Sequence, residues 1–332
     1  MDNIESRAHR AWDIAAVVVT YNRKELLKEN LVAVFGQTVP VRYVVVVDNH
    51  STDGTEEWVR GEYGTRPELV YLRLEENIGG AGGFHEGIRY TAGQLDADYV
   101  WLMDDDTIPG EAALENLLRV FERVPGPVGY AASNVRSVDG APMNVPIIDL
   151  SMGKNDYQVW GEYLHEHCVR ITSATFVSIL VPMDAVRKLG YPVRWFFIWG
   201  DDMEYTLRLT RYYGPAYVAG DSIAVHKRTG GRTLSPFAEK DPERMRNGYY
   251  YFRNSVINYR EYHGKKATRT IIRRWRREAI KGILRKETKM GYKIRTMIRG
   301  IRDAYANGEQ KAAFQNRMSD HTNETKTEQA AK

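Results

Sequence analysis

Hydrophobic positions along the chain fall into two arrangements, unbroken apolar runs and runs spaced by three or four residues. Ile14–Thr20 is continuous and apolar, the pattern of a parallel strand buried on both faces. Lys24–Phe35 follows with Leu26, Leu27, Leu31 and Val34 at helical spacing. Residues 43–47 predict a second strand, rich in β-branched side chains, and 51–60 a helix opened by Ser, Thr and Asp. A third strand over 70–74, a helix over 84–92 entered through glycines, a fourth strand over 99–103 and a helix over 111–124 complete the first half. Strand and helix in strict alternation predict an α/β fold with a doubly wound, mainly parallel, Rossmann-like sheet. Further on, the pattern predicts a strand near 130–135, a strand or strand pair over 171–181, a helix over Asp201–Tyr212 and a strand over Ala216–His226. From about residue 242 to 302 it turns helical, a C-terminal helical appendage.

Composition narrows the class. The 332 residues are 43% hydrophobic and 27% charged, an ordinary globular balance. No apolar run approaches the ~18–20 residues of a membrane-spanning helix. The polar N-terminus has no signal-peptide core, and the single cysteine, Cys168, excludes an internal disulfide framework and fits a reducing cytoplasm. The tail, 315–332, reads as disordered. Net charge is +4, but residues 265–299 hold fourteen Lys and Arg against two acids, so the remainder of the chain is net acidic. Such asymmetry points to an anionic partner.

Candidate chemistry gathers at element ends. The fourth strand delivers Asp104, Asp105 and Asp106 to the carboxyl edge of the sheet, where open α/β folds bind ligands. If the chain stays extended, Asp104 and Asp106 share one side and can hold a hard divalent cation, Mg²⁺ or Mn²⁺, with Asp105 facing elsewhere. Asp48 ends the second strand and can accept from a base or ribose, or cap its own turn. Asn77-Ile78-Gly79-Gly80-Ala81-Gly82-Gly83 calls for close backbone approach or positive φ. In Trp199-Gly200-Asp201-Asp202-Met203-Glu204, acids open a helix beside aromatic side chains, a surface suited to a sugar. Glu204 and Arg208 are spaced to pair. His226 closes the last strand and is a further candidate metal ligand. The His165-Glu166-His167-Cys168 stretch lacks a second ligand pair at zinc-finger spacing.

The first strand with Thr20-Tyr21-Asn22-Arg23, then Val47-Asp48-Asn49, then the strand ending in three aspartates resembles a family 2 glycosyltransferase with the GT-A fold over about residues 13–230. The resemblance implies a catalytic domain over 1–240, with a nucleotide-sugar part (13–124) and an acceptor part (125–240). It implies donor contacts from Thr20, Arg23, Asp48, Asn77, Gly79, Gly80, Asp104 and Asp105, and a metal site of Asp104, Asp106 and His226. It further implies an acceptor site at Trp199, Asp201 and Glu204, and catalysis by the Asp201–Asp202 pair with Asp202 as base. The motifs look most like bacterial galactofuranosyltransferases using UDP-galactofuranose; a rhamnosyltransferase using dTDP-rhamnose has similar motifs. Both imply inverting, metal-dependent transfer to a lipid-linked or polysaccharide acceptor of the cell envelope, and a non-catalytic nucleotide-binding module is the remote alternative.

In the basic region (241–305), Ile272, Trp275, Ala279, Ile280 and Ile283, then Met290, Ile294, Met297, Ile298 and Ile301, recur at helical spacing. Two amphipathic helices parted near Gly291 are expected. Residues 265–301 either lie on an anionic membrane, placing the protein peripherally at the inner face of the cell membrane, or pack on the catalytic domain. No nucleic-acid-binding module accompanies the charge, so nucleic acid is not an expected partner.

Overall fold

The computed structural model describes residues 12–228 and 235–306. The expected disordered tail lies outside the described residues. The chain divides into two compact units. The first comprises the residues up to Asn77, Gly83–Tyr191 and Leu209–Arg228; the second comprises Ile78–Gly82, Pro192–Arg208 and the residues after Arg228. Residues 78–82 and 192–208, assigned by sequence to the catalytic domain, therefore group with the C-terminal helices.

The first unit is built on one sheet. Its strands are β1 (Ile14–Thr20), β2 (Tyr43–Asp48), β3 (Leu69–Arg73), β4 (Tyr99–Asp104), β5 (Thr107–Pro109), β6 (Ala131–Arg136), β7 (Ile147–Ile148), β8 (Cys168–Ser173), β9 (Val177–Pro182) and β10 (Ala216–His226). They lie in the order β3-β2-β1-β4-β9-β6-β10-β8-β7, with β5 paired to β10. Pairing is parallel along β3-β2-β1-β4 and between β6 and β10. It is antiparallel at β9, β8, β7 and β5. Strands β1, β2 and β4 are buried almost throughout. Helices α1 (Lys24–Phe35) and α4 (Ala113–Arg123) bury Leu27, Leu31, Val34, Leu114 and Leu117 in the core that also holds Trp101 and Tyr217.

The chain leaves β3 at one edge and re-enters beside β1 as β4. The order reverses there, so the carboxyl ends of β1 and β4 flank the crevice in which such sheets bind ligands.

Three expectations are corrected locally. Helix α2 (Thr55–Tyr63) starts four residues later than predicted, because Gly54 takes a left-handed turn at φ 81° first. Helix α3 (Gly79–Gln94) contains the glycines instead of following them. A Cβ on Gly83 or Gly87 would come within 2.6 Å of Val19 or 2.5 Å of Val17, so these glycines let the helix lie close on the strands. Helix α5 (Met183–Leu189), too short to show a period, was not predicted.

In the second unit, α6 begins (Asp201–Tyr212, its last turn lying in the first unit) and three helices follow, α7 (Pro242–Asn258), α8 (Gly264–Leu284) and α9 (Met290–Ala306). Asp241 caps α7 by accepting from the Arg244 N–H at 2.8 Å, and Pro242 sits where no N–H is needed. The break between α8 and α9 falls at residues 285–289, not Gly291, which lies inside α9. Trp275, Ala279, Met290 and Met297 pack with Phe252 and Val256 into a core of this unit, while Ile280, Ile283 and Ile298 stay exposed. The apolar stripe read from sequence is therefore split between a packed and an exposed face. Among the described residues no helix is long and apolar enough to cross a membrane.

Candidate active site

In the first unit, Thr20 ends β1 and Asp104 ends β4. Strand geometry stops there. Asp105 and Asp106 lie in the turn to β5, so the alternation that placed Asp104 with Asp106 and sent Asp105 elsewhere does not extend past Asp104. Instead Asp105 turns inward. It accepts from the Thr20 hydroxyl at 2.8 Å and from Arg23 at 3.3 Å. Arg23 also donates to Asp106 at 2.8 Å while half of its own side chain stays exposed. The His226 Nε2 lies 3.0 Å from the other Asp106 oxygen.

These contacts set opposite charge preferences on adjacent residues. Burial lifts Asp105 to about 7 against the pull of Arg23. Burial also opposes charge on Asp106, but the hydrogen-bonded His226 imidazole and the Arg23 guanidinium outweigh it and hold Asp106 below the usual carboxylate range. Arg23 is itself raised: its partial burial is outweighed by Asp105, Asp106 and Asp104 together, so all three acids act on one cation.

Asn144, which sequence reasoning missed, completes this cluster. Its Oδ1 lies 2.8 Å from His226 Nδ1, and its amide nitrogen donates to Thr175 Oγ1 at 3.1 Å. The His226 ring thus lies between two acceptor oxygens, Asn144 Oδ1 and Asp106 Oδ1, which fix its orientation. A hard divalent cation bound by one or two carboxylates, with substrate phosphates and water filling the shell, fits this donor set. Among the described residues no three His, Cys, Asp or Glu side chains already converge as a closed cage. In the His165–Cys168 stretch, Cys168 is buried in β8 and His167 bonds Asp221 at 2.8 Å.

Other expected donor contacts are placed differently. Asp48 is fully buried, still paired in the sheet, and accepts from the Ser51 N–H at 2.8 Å and from the Tyr71 hydroxyl. Each of its oxygens is engaged by its own chain, so it holds the β2 turn. Asn77 is exposed. Gly80 has open space where a side chain would stand.

In the second unit, the chain enters α6 through a strained turn. Phe197 (φ 65°), Trp199 (φ 62°) and Gly200 (φ 97°) are all left-handed, rare for bulky aromatics. Gly79 (φ 76°) lies against this turn; a Cβ there would meet the Phe197 carbonyl oxygen at 2.0 Å. The close approach expected of Gly79 is thus to its own chain. Asp201 is buried at the helix start, and Asp202 accepts from the Met203 N–H at 2.7 Å. Burial, then the Asp202 charge beside it, raises Asp201 well above the carboxylate range. Burial lifts Asp202 to about 6 against its backbone hydrogen bonds. Trp199 is half-buried. Glu204 is not available to an acceptor. It is 1% exposed, takes Arg208 at 2.6 and 3.1 Å and accepts from the Tyr262 hydroxyl at 2.7 Å. The expected Glu204–Arg208 pair is present, and it uses up both oxygens.

Comparison with known proteins agrees with this architecture. Residues 15–149 match the family model described as Glycosyl transferase family 2. Galactofuranosyltransferase GlfT1 of Mycolicibacterium smegmatis is 29% identical over 214 residues, 60% of this chain and 65% of the relative; the chain spans less than two thirds of that relative's length. GlfT1 of Mycobacterium tuberculosis is 29% identical over 225 residues, 64% of this chain and 69% of the relative. The crystal structure of GalNAc-T7 with UDP, GalNAc and Mn²⁺ aligns with a TM-score of 0.55 at 12% identity, covering 74% of this chain and 52% of that one. Residues 1–349 of S. aureus TarS in complex with UDP align with a TM-score of 0.51 at 18% identity, covering 77% and 68%. At these identities the structural likeness shows the fold.

Proposed function

We propose, from the premise that residues 15–149 form a family 2 glycosyltransferase domain with the GT-A fold, that this chain moves galactofuranose from UDP-galactofuranose to an acceptor hydroxyl, with inversion and with a divalent cation. The observation that carries the reading is the cluster of Arg23, Asp105, Asp106 and His226 at the β1–β4 crevice, joined by the Thr20 hydrogen bond. The galactofuranosyltransferase relatives support the sugar, and the neighbours solved with UDP support the nucleotide.

In this mechanism Asp106 and His226 would hold Mn²⁺ or Mg²⁺, which when bound would offset charge on the leaving diphosphate. Arg23, anchored through Asp105 and Asp106, keeps its exposed N–H groups for phosphate oxygens. Asn144 keeps the His226 ring turned. Asp202 takes the proton of the acceptor hydroxyl as that oxygen attacks the anomeric carbon, and the carbon–oxygen bond to UDP breaks with its electron pair leaving on the diphosphate. Near neutral pH Asp202 is mostly ionised yet more basic than an ordinary aspartate. Trp199 and Asp201 border the acceptor. The exposed Ile280, Ile283, Leu284 and Ile298, set among the Lys and Arg of α8 and α9, suit an anionic bilayer surface carrying a lipid-linked acceptor.

Thermal unfolding with UDP, dTDP or NAD, each with and without Mn²⁺, tests the donor side. UDP with Mn²⁺ at about 100 times Kd should raise Tm by about 5 °C. Equal stabilisation without metal, or no sugar transfer from UDP-galactofuranose in a donor screen, would overturn the reading. Flotation with phosphatidylglycerol vesicles tests the surface, and an Ile283→Ser, Leu284→Ser double variant should float less.

A further inference from the structure

The strained turn that leads into α6 is held by side chains of one helix. Residues 195–200 leave a single 3₁₀ turn (Arg194–Phe196), and their carbonyls are taken up one after another by groups outside the segment. Arg253 donates to the carbonyl of Trp195 at 2.7 Å and of Phe196 at 3.3 Å. Asn254 donates to Phe196 at 3.0 Å, Ile198 at 3.1 Å and Trp199 at 2.8 Å. Asn258, one helical turn on, donates to Gly200 at 2.8 Å. The remaining carbonyl, that of Phe197, takes the Ala81 N–H at 3.1 Å. Asn254 and Asn258 are fully buried and Arg253 nearly so. Aromatic packing adds to the hold: the Arg253 guanidinium lies 5.0 Å from the Trp195 ring centre, and Phe197 stacks on Tyr250 at 4.8 Å.

Two bulky aromatics at positive φ are strained, and such strain persists only where the surroundings over-determine it. Here the determinants are named. Three side chains at positions 253, 254 and 258 of α7 bind the carbonyls of five of the six residues before Asp201. They set where α6 begins and so where its first two acids stand.

We propose that Arg253, Asn254 and Asn258 are positioning residues for the Asp201–Asp202 pair: they clamp the 195–200 backbone in the conformation that presents these acids. The inference rests on the reading of Asp202 as base. It adds specificity control as well, since the same clamp fixes Trp199, the aromatic side chain assigned to the acceptor.

Two readouts test it on the full-length protein. Chymotrypsin cleavage between Trp195 and Trp199 needs no substrate; Asn254→Ala should be cut at least tenfold faster than wild type, and an unchanged rate would overturn the clamp. With UDP-galactofuranose, Asn254→Ala should lose about 100-fold in kcat while donor KM and UDP–Mn²⁺ binding stay within threefold, because the donor and cation residues lie in the other unit. Turnover within threefold of wild type, or a parallel loss of donor binding and Tm, would overturn the positioning role. Should Asn254→Ala fail to fold, Asn258→Ala, which removes one side-chain bond to the Gly200 carbonyl, gives the same pair of readouts with smaller changes. If the wild type turns over no nucleotide sugar, the transfer reading fails, and the chymotrypsin rates alone then decide for or against the clamp.

Discussion

Two aspartate clusters in this chain share a residue type and differ in everything that decides its chemistry. At the sheet edge, Asp106 is buried against a guanidinium and an imidazole and is held ionised. At the start of α6, Asp202 is half-buried beside the buried Asp201 and accepts from backbone N–H, and desolvation raises its proton affinity. Burial alone raises both. The net sign follows the balance: Arg23 alone does not offset the burial of Asp105, whereas His226 and Arg23 together outweigh the burial of Asp106. One cluster is arranged to hold positive charge, the other to accept a proton, and pushing two carboxylates apart in this way is how acid–base roles are divided on one fold.

The largest expected separation comes from the base. Asp202→Asn should lower kcat by about 10³-fold with UDP–Mn²⁺ affinity unchanged. Asp106→Asn should do the reverse and abolish metal-dependent donor binding, measured by calorimetry. If both variants lost the same property, the division of labour would collapse. Gly79→Ala comes next. It forces a Cβ against the Phe197 carbonyl at a positive φ and should cost about 3 kcal/mol of unfolding free energy. Surviving folded protein should lose turnover more than donor binding. Asn144→Ala should weaken Mn²⁺ binding by about 10–100-fold, because His226 loses the partner that fixes its tautomer, while the acid limb of the rate profile stays in place.

The smallest effect is the pH dependence. The ionised form of Asp202 is the active one, so kcat/KM should fall tenfold per unit below about pH 6 and level off above it. Stability runs the other way. A carboxyl raised in the folded state contributes stability at low pH that is lost as pH rises through about 6, so Asp202→Asn should melt above wild type at pH 8. A profile unchanged in that variant would assign the limb to another group.

Much of this was legible before any coordinates. The strands β1 and β10 and the helices α1 and α6 have the bounds that period and apolar runs indicate, because β1 is apolar throughout and the others are long enough to show their period. Arg23, Asp106 and His226 stand out in the sequence through their motifs. Contacts that depend on the assembled chain were not legible. The short β5 and β7 exist only through their partners β10 and β8. Asp48 looked like a ligand because it ends a strand, and only the Tyr71 hydroxyl on β3 shows which way it turns. Asn144, Asn254 and Asn258 carry no local signature, since their value lies in backbone and ring atoms distant in sequence.

Strand β10 acts as a length standard for the site. It pairs in parallel with β6, shifts register between Ala219 and Ile223, and ends with His226 opposite Thr107 of β5. Side chains alternate along a strand, so a shift of one residue exchanges its faces. Deleting a single residue downstream of the irregularity would keep every proposed ligand in the sequence and still bring Lys227 into the register position that His226 holds. Substitution scans of the acids would miss this dependence. Insertions and deletions in β10 would expose it, with loss expected for one residue and partial return for two.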